Sequence, residues 1–122
     1  MKILIAEDNK FLQNFYKTQL VQHGFDVEVA DDGIKAMESM RDQKPDLLML
    51  DLIMPNLDGF GVLTELSKDS ILKNIPVMVF STLGQESDVK KAMDLGAKGY
   101  VNKSFFDLDK LLISIQNAIQ TK

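Results

Sequence analysis

Two tetrads, LLML at residues 47–50 and VMVF at 77–80, contain no polar side chain. A short strand that is apolar at every position must be covered on both faces, as in a parallel sheet sandwiched between helices. Residues 3–6, 25–30 and 99–101 complete a set of five strand candidates, and helical spacing fills the intervals. The first helix is expected over about residues 9 to 23, with Leu12, Phe15, Tyr16 and Leu20 on one stripe and Gly24 as its stop. The second covers about 34 to 43, entered from the turn DDG and ended before Pro45. A third runs over about 60 to 67 and a fourth over 86 to 95, with Gly96 as its C-terminal signal. The fifth starts after Asp107, with Leu108, Leu111, Leu112, Ile115 and Ile119 at helical spacing. Five βα units with right-handed crossovers predict one α/β domain over residues 1–122.

Composition narrows the function. A chain of 122 residues has room for a single core, and 45% hydrophobic with 26% charged residues is ordinary for a globule. The net charge of −4 offers no basic block to neutralise phosphates, which argues against direct nucleic-acid or anionic-lipid binding. Zero cysteines exclude a disulfide framework and thiolate metal sites. MKILIAED reaches acidic residues at once, unlike a signal peptide, and no apolar run approaches the roughly 18 residues of a membrane span. A cytoplasmic, membrane-free protein is expected. No linker or DNA-binding motif follows Gln116, so a stand-alone unit is expected as well.

In a parallel α/β sheet, ligands bind beyond the carboxyl ends of the strands. Those ends carry Glu7-Asp8, Asp51, Ser81-Thr82 and Asn102-Lys103. Converging carboxylates repel unless a cation compensates, and Mg²⁺, a hard ion content with two carboxylates, a carbonyl and waters, suits them. Lys103 is a mobile point charge for an anionic oxygen, and Ser81 offers a hydroxyl. A carboxylate so flanked can attack phosphorus and hold the acyl phosphate. Each residue alone has an ordinary reading: a helix cap, a turn residue, a solvated lysine. Their joint placement at successive strand ends points to a phosphoacceptor site at Asp51.

These residues carry a resemblance. ILIAED, LLMLDLIMPNLDG, VMVFST and GAKGYVNKSF together resemble the receiver domains of two-component response regulators, the chemotaxis-type single-domain regulators among them, over essentially the whole chain. The resemblance implies a flavodoxin-like, doubly wound (βα)5 fold with strand order 2-1-3-4-5. It also implies that Asp51 is the phosphoacceptor, with Lys103 and Ser81 contacting the phosphoryl group. Asp8 would bind Mg²⁺ directly, Glu7 largely through water, and the backbone carbonyl of Ile53 would be a further ligand. Tyr100 matches the aromatic switch residue, turning inward when Ser81 is drawn to the phosphate and so changing the α4-β5-α5 surface. Pro55 and Gly59 fit the loop after Asp51. A sensor histidine kinase or phosphotransfer protein would be the donor, an unidentified protein the output target. Aliphatic Ile53 and Leu83 border the path of the hydrolytic water in the family, which predicts a slowly lost phosphoryl group.

One departure stands out. The family lysine is usually followed by proline with a cis bond, whereas Lys103 precedes Ser104. A cis bond there costs about 3–4 kcal/mol, so a trans bond and a re-routed Phe105 are expected.

His23 reads as a packing residue or a partner of the helix dipole. Ile113 and Phe106 are apolar residues that the predicted core leaves over, and either could belong to a partner surface. A flavodoxin would need a hydroxyl-rich phosphate loop where Glu7-Asp8 stands, an aspartyl-phosphate hydrolase a second acid at position 53, and a dinucleotide enzyme the absent G-x-G-x-x-G. The chain is therefore not expected to be an enzyme beyond its own phosphotransfer and dephosphorylation. The competing expectation is a degenerate receiver that binds proteins without phosphorylation.

Overall fold

Strands and helices alternate along the chain in the computed structural model, which describes residues 1–120 apart from the side chain of Phe105. The order is β1 (Lys2–Ala6), α1 (Lys10–Gln22), β2 (Asp26–Ala30), α2 (Gly33–Gln43), β3 (Leu47–Leu50), α3 (Gly59–Ser67), β4 (Val77–Ser81), α4 (Glu86–Asp94), β5 (Gly99–Asn102) and α5 (Leu108–Gln120). Two 3-10 turns, Leu72–Asn74 and Lys103–Phe105, are additions that three residues of sequence are too short to announce.

Local chemistry sets the helix starts. Side-chain oxygens of Asn9, Asp32 and Asp58 accept from the amides of Leu12, Lys35 and Gly61 at 3.1, 2.8 and 2.8 Å, satisfying donors that have no partner within the helix. The chain turns out of α1 and α4 through left-handed Gly24 and Gly96. Helix α2 ends at Lys44, itself left-handed at φ 44°, directly before Pro45.

All five strands are parallel, in the order β2-β1-β3-β4-β5, as the resemblance implied. Side chains alternate between two cores. Ile3, Ile5, Leu47, Met49, Met78 and Phe80 pack on α1 and α5 through Tyr16, Leu20, Leu111 and Ile115. Leu4, Ala6, Leu48, Leu50, Val77 and Val79 pack on α2, α3 and α4 through Met37, Met40, Val62, Leu66 and Ala92. The apolar tetrads are thus buried on both faces, as their composition requires. No helix among the described residues is long and apolar enough to cross a membrane.

Candidate functional site

Register builds the site. Ala6 lies beside Leu50, so the next residues, Glu7 and Asp51, leave the sheet as neighbours, with the Asp51 amide donating to the Ala6 carbonyl at 3.1 Å. Ser81 pairs with Asn102 across β4 and β5, which delivers Lys103 to the same edge. One carboxylate oxygen from each of Glu7, Asp8 and Asp51 falls within 4.8 Å of the others. Glu7 and Asp51 are only 1% and 3% exposed, while Asp8 is exposed and its carboxylate has no hydrogen bond or ion pair among the described residues.

Lys103 is the counterweight. Its ammonium donates to Glu7 Oε1 at 2.7 Å and to Asp51 Oδ2 at 3.0 Å, and it lies 5.3 Å from the centre of the Phe80 ring. Burial acts to lower the Lys103 pKa, but the hydrogen bonds and charges of Glu7 and Asp51 outweigh it and hold the group above its ordinary 10.5. Burial, assisted by the Asp51 charge, raises the Glu7 carboxyl above its ordinary 4.5 despite the Lys103 hydrogen bond. Three carboxylates against one ammonium leave an excess of negative charge in a partly enclosed cleft, and the exposed, unpaired Asp8 is open to a ligand. That donor set, all oxygen and over-supplied with charge, fits a hard dication.

The structure brings together Glu7, Asp8, Asp51 and Lys103 as the strand-end reading expected. Ser81 is fully buried, and its hydroxyl accepts from the Leu83 amide at 3.2 Å. Tyr100 is half-buried and donates its hydroxyl proton to the Leu83 carbonyl. Ile53 is exposed, and its amide donates to Asp51 Oδ1 at 3.3 Å. Gly59 has no room for a side chain: a Cβ there would sit 2.5 Å from the Asp51 carbonyl oxygen and 2.6 Å from Leu52 Cα.

The Lys103–Ser104 bond is trans, because no cis peptide occurs among the described residues. Asn102 Oδ1 accepts from the Ser104 amide at 2.9 Å and so starts the Lys103–Phe105 turn. The expectation about Phe105 lies outside the described residues. His23 is exposed rather than packed, and its Nδ1 lies 2.9 Å from the Gln19 carbonyl at the end of α1, which leaves the dipole reading. Phe106, though partly exposed, packs edge-on against Phe15 with ring centres 5.0 Å apart. Ile113 is exposed.

Sequence reasoning passed over Gln13. Its carboxamide, 3% exposed, donates to the Glu7 carbonyl and, at 2.8 Å, to Asp31 Oδ1. Asp31 is held in turn by Lys10 at 2.6 Å and Lys35 at 3.4 Å, and the Lys10 hydrogen bond chiefly depresses its pKa to about 2. A glutamine on a helix reads as surface, and only the placing of α1 over the ends of β1 and β2 turns it inward.

A parallel five-stranded sheet with this acid and lysine cluster at its carboxyl edge defines a class. Residues 3–116 match the response regulator receiver domain, and the chain belongs to that family. Among particular relatives it is 36% identical over 115 residues to the DNA-binding dual master transcriptional regulator RpaA of Synechocystis, covering 94% of this chain and 47% of that one. The chain spans about half the length of the curated relatives it matches. The receiver domain of Francisella response regulator 1452 superposes with a TM-score of 0.89 at 33% identity, over 99% of this chain and 98% of that one. The receiver domain of sensor histidine kinase PA1611 from Pseudomonas aeruginosa, which has a magnesium ion coordinated in its active site cleft, superposes with a TM-score of 0.89 at 26% identity, over 98% of both chains. Receiver domains are signalling switches rather than metabolic enzymes, and they take their phosphoryl group from histidine kinases.

Proposed function

We propose that this chain is a phosphorylation-activated switch whose phosphoacceptor is Asp51. The observation that carries the reading is the Lys103 ammonium shared between buried Glu7 and Asp51 at 2.7 and 3.0 Å. A carboxylate oxygen of Asp51 attacks the phosphorus of a phosphohistidine, the O–P bond forms as the P–N bond breaks, and the imidazole nitrogen leaves with its electron pair. Lys103 stays beside the incoming anionic oxygens, and the Ser81 hydroxyl supplies a further donor once it turns from Leu83. Asp8, Asp51 and the Ile53 carbonyl would hold Mg²⁺, with Glu7 acting largely through water. The ion supplies charge neutralisation for the transferring phosphoryl group.

Swinging the Ser81 side chain toward a phosphoryl oxygen would pull its oxygen away from the Leu83 amide and loosen the segment that holds the Tyr100 hydroxyl. Tyr100 then fills the vacated space, and the α4-β5-α5 surface changes for an output partner. This is a two-state bias set at one site and read at another. The donor is a cytoplasmic histidine kinase or phosphotransfer protein. Ile53 and Leu83 offer no side-chain hydrogen bond to an attacking water, so the phosphoryl group is lost over many minutes rather than seconds.

A small acyl-phosphate donor with Mg²⁺ tests the reading by intact mass. One phosphoryl group is gained by the wild-type chain, and none by Asp51→Asn. Absence of uptake by the wild type, with protein contacts retained, would establish the phosphorylation-independent binding module instead.

A further inference from the structure

The exposed Asp8 carboxylate makes no hydrogen bond or ion pair of its own among the described residues, so the backbone that carries it sets its direction. That backbone leaves β1 through the Glu7 peptide. The Glu7 amide still pairs with the sheet, donating to the Ala30 carbonyl at 3.0 Å. The Glu7 carbonyl, the acceptor immediately before Asp8, is taken by Gln13. The second N–H of the same carboxamide goes to Asp31 Oδ1 at 2.8 Å. Asp31 in turn pairs with the exposed Lys10 of α1 at 2.6 Å and the exposed Lys35 of α2 at 3.4 Å. One buried amide thus ties the Glu7–Asp8 peptide to two helices and to the end of β2.

We infer that Gln13 is a positioning residue, aiming the Asp8 carboxylate for Mg²⁺ through the Glu7 carbonyl. The inference rests on the metal-assisted reading of the site. Partners one step removed from a metal ligand fix its orientation, and their loss typically weakens metal binding by 10–100-fold. A residue that merely satisfies buried polar atoms would affect stability and leave the affinity alone.

Mg²⁺ titration by calorimetry on the full chain separates the two. Gln13→Met, close in length but without donors, is expected to weaken Mg²⁺ binding about tenfold. Gln13→Asn keeps the amide but is one methylene too short to reach both acceptors, so it gives an intermediate loss and serves if Gln13→Met does not fold. Ile115→Val, a core truncation on the sheet-facing side of α5, lowers stability and leaves the Mg²⁺ affinity at the wild-type value. In an Asp8→Asn background, Gln13→Met has no further effect on residual binding, because the two act in series. Wild-type affinity retained by a folded Gln13 variant overturns the inference while leaving the proposed function intact. No Mg²⁺ binding by the wild-type chain removes both.

Discussion

The carboxyl edge of the sheet has two halves built to different standards. On the β1–β3 side, Glu7 and Asp51 are buried, Gln13 clamps the β1–α1 loop, and α1, α2 and α3 each begin on a side-chain cap. On the β4–β5 side, every residue of β5 is only half-buried, α4 buries Ala92 alone and starts at Gln85 without a side-chain cap, and Ser81 and Tyr100 both lean on Leu83. A group that must bind an ion gains from being held in advance, whereas a segment that must report binding needs a second arrangement close in energy. Lys103 joins the halves, since it leaves β5 and ends among the acids of β1 and β3.

The largest effect is expected at that joint. Lys103→Met leaves two buried carboxylates facing each other, and at neutral pH without divalent cations it should cost about 3 kcal/mol of unfolding free energy. Mg²⁺ should restore part of the loss. An unchanged urea midpoint would mean that the ammonium does not bind the halves together.

Gly59→Ala and Gly84→Ala then apply one change to each half. At Gly59 the new Cβ meets backbone at 2.5 and 2.6 Å, so the Asp51 loop must move at a cost of about 2 kcal/mol. At Gly84 it meets the end of the Asn102 side chain at 2.8 Å, which can move only at the expense of its bond to the Ser104 amide, and the smaller loss should be about 1 kcal/mol. Equal losses at the two positions would erase the contrast.

Tyr100→Phe removes the hydroxyl held by Leu83 and should cost about 1 kcal/mol. Amide exchange should rise at Leu83 and Gly84 and stay unchanged at Asp8 and Asn9; a rise at all four would mean the halves do not move separately.

The smallest effect is electrostatic. The Asp31 pKa is depressed from 3.8 to about 2, so its ion pairs contribute stability above the unfolded value, and that contribution disappears as pH falls from 3.8 towards about 2. The stability difference between wild type and Asp31→Asn should therefore be constant above about pH 5 and shrink across that window. A difference that persists at pH 2 would remove these ion pairs as its source.

The strands, their parallel sense and the acids at their ends could be read from sequence because each depends on short-range composition: a tetrad such as LLML has few ways to be buried. Gly24, Gly96 and the residue before Pro45 marked helix ends for the same local reason. What escaped depends on distance. Gln13 meets Asp31 only because α1 crosses β2, and Phe106 is accounted for only once α1 sets Phe15 beside it. His23 looked like part of the α1 stripe, but the chain turns away at Gly24 and leaves it in solvent, a divergence that periodicity alone does not contain.

The bond between Lys103 and Glu7 spans 96 residues, nearly the length of the chain. During synthesis, β1 and β3 leave the ribosome well before the residue that neutralises them. At roughly 5–20 residues per second, the acids wait several seconds for their cation. A nascent or truncated chain that stops short of β5 can form much of the sheet, yet it holds two carboxylates that resist burial together. The ion pair therefore ties burial of the acidic pair to completion of the fold, and a chain that cannot supply Lys103 is left more open to proteolysis.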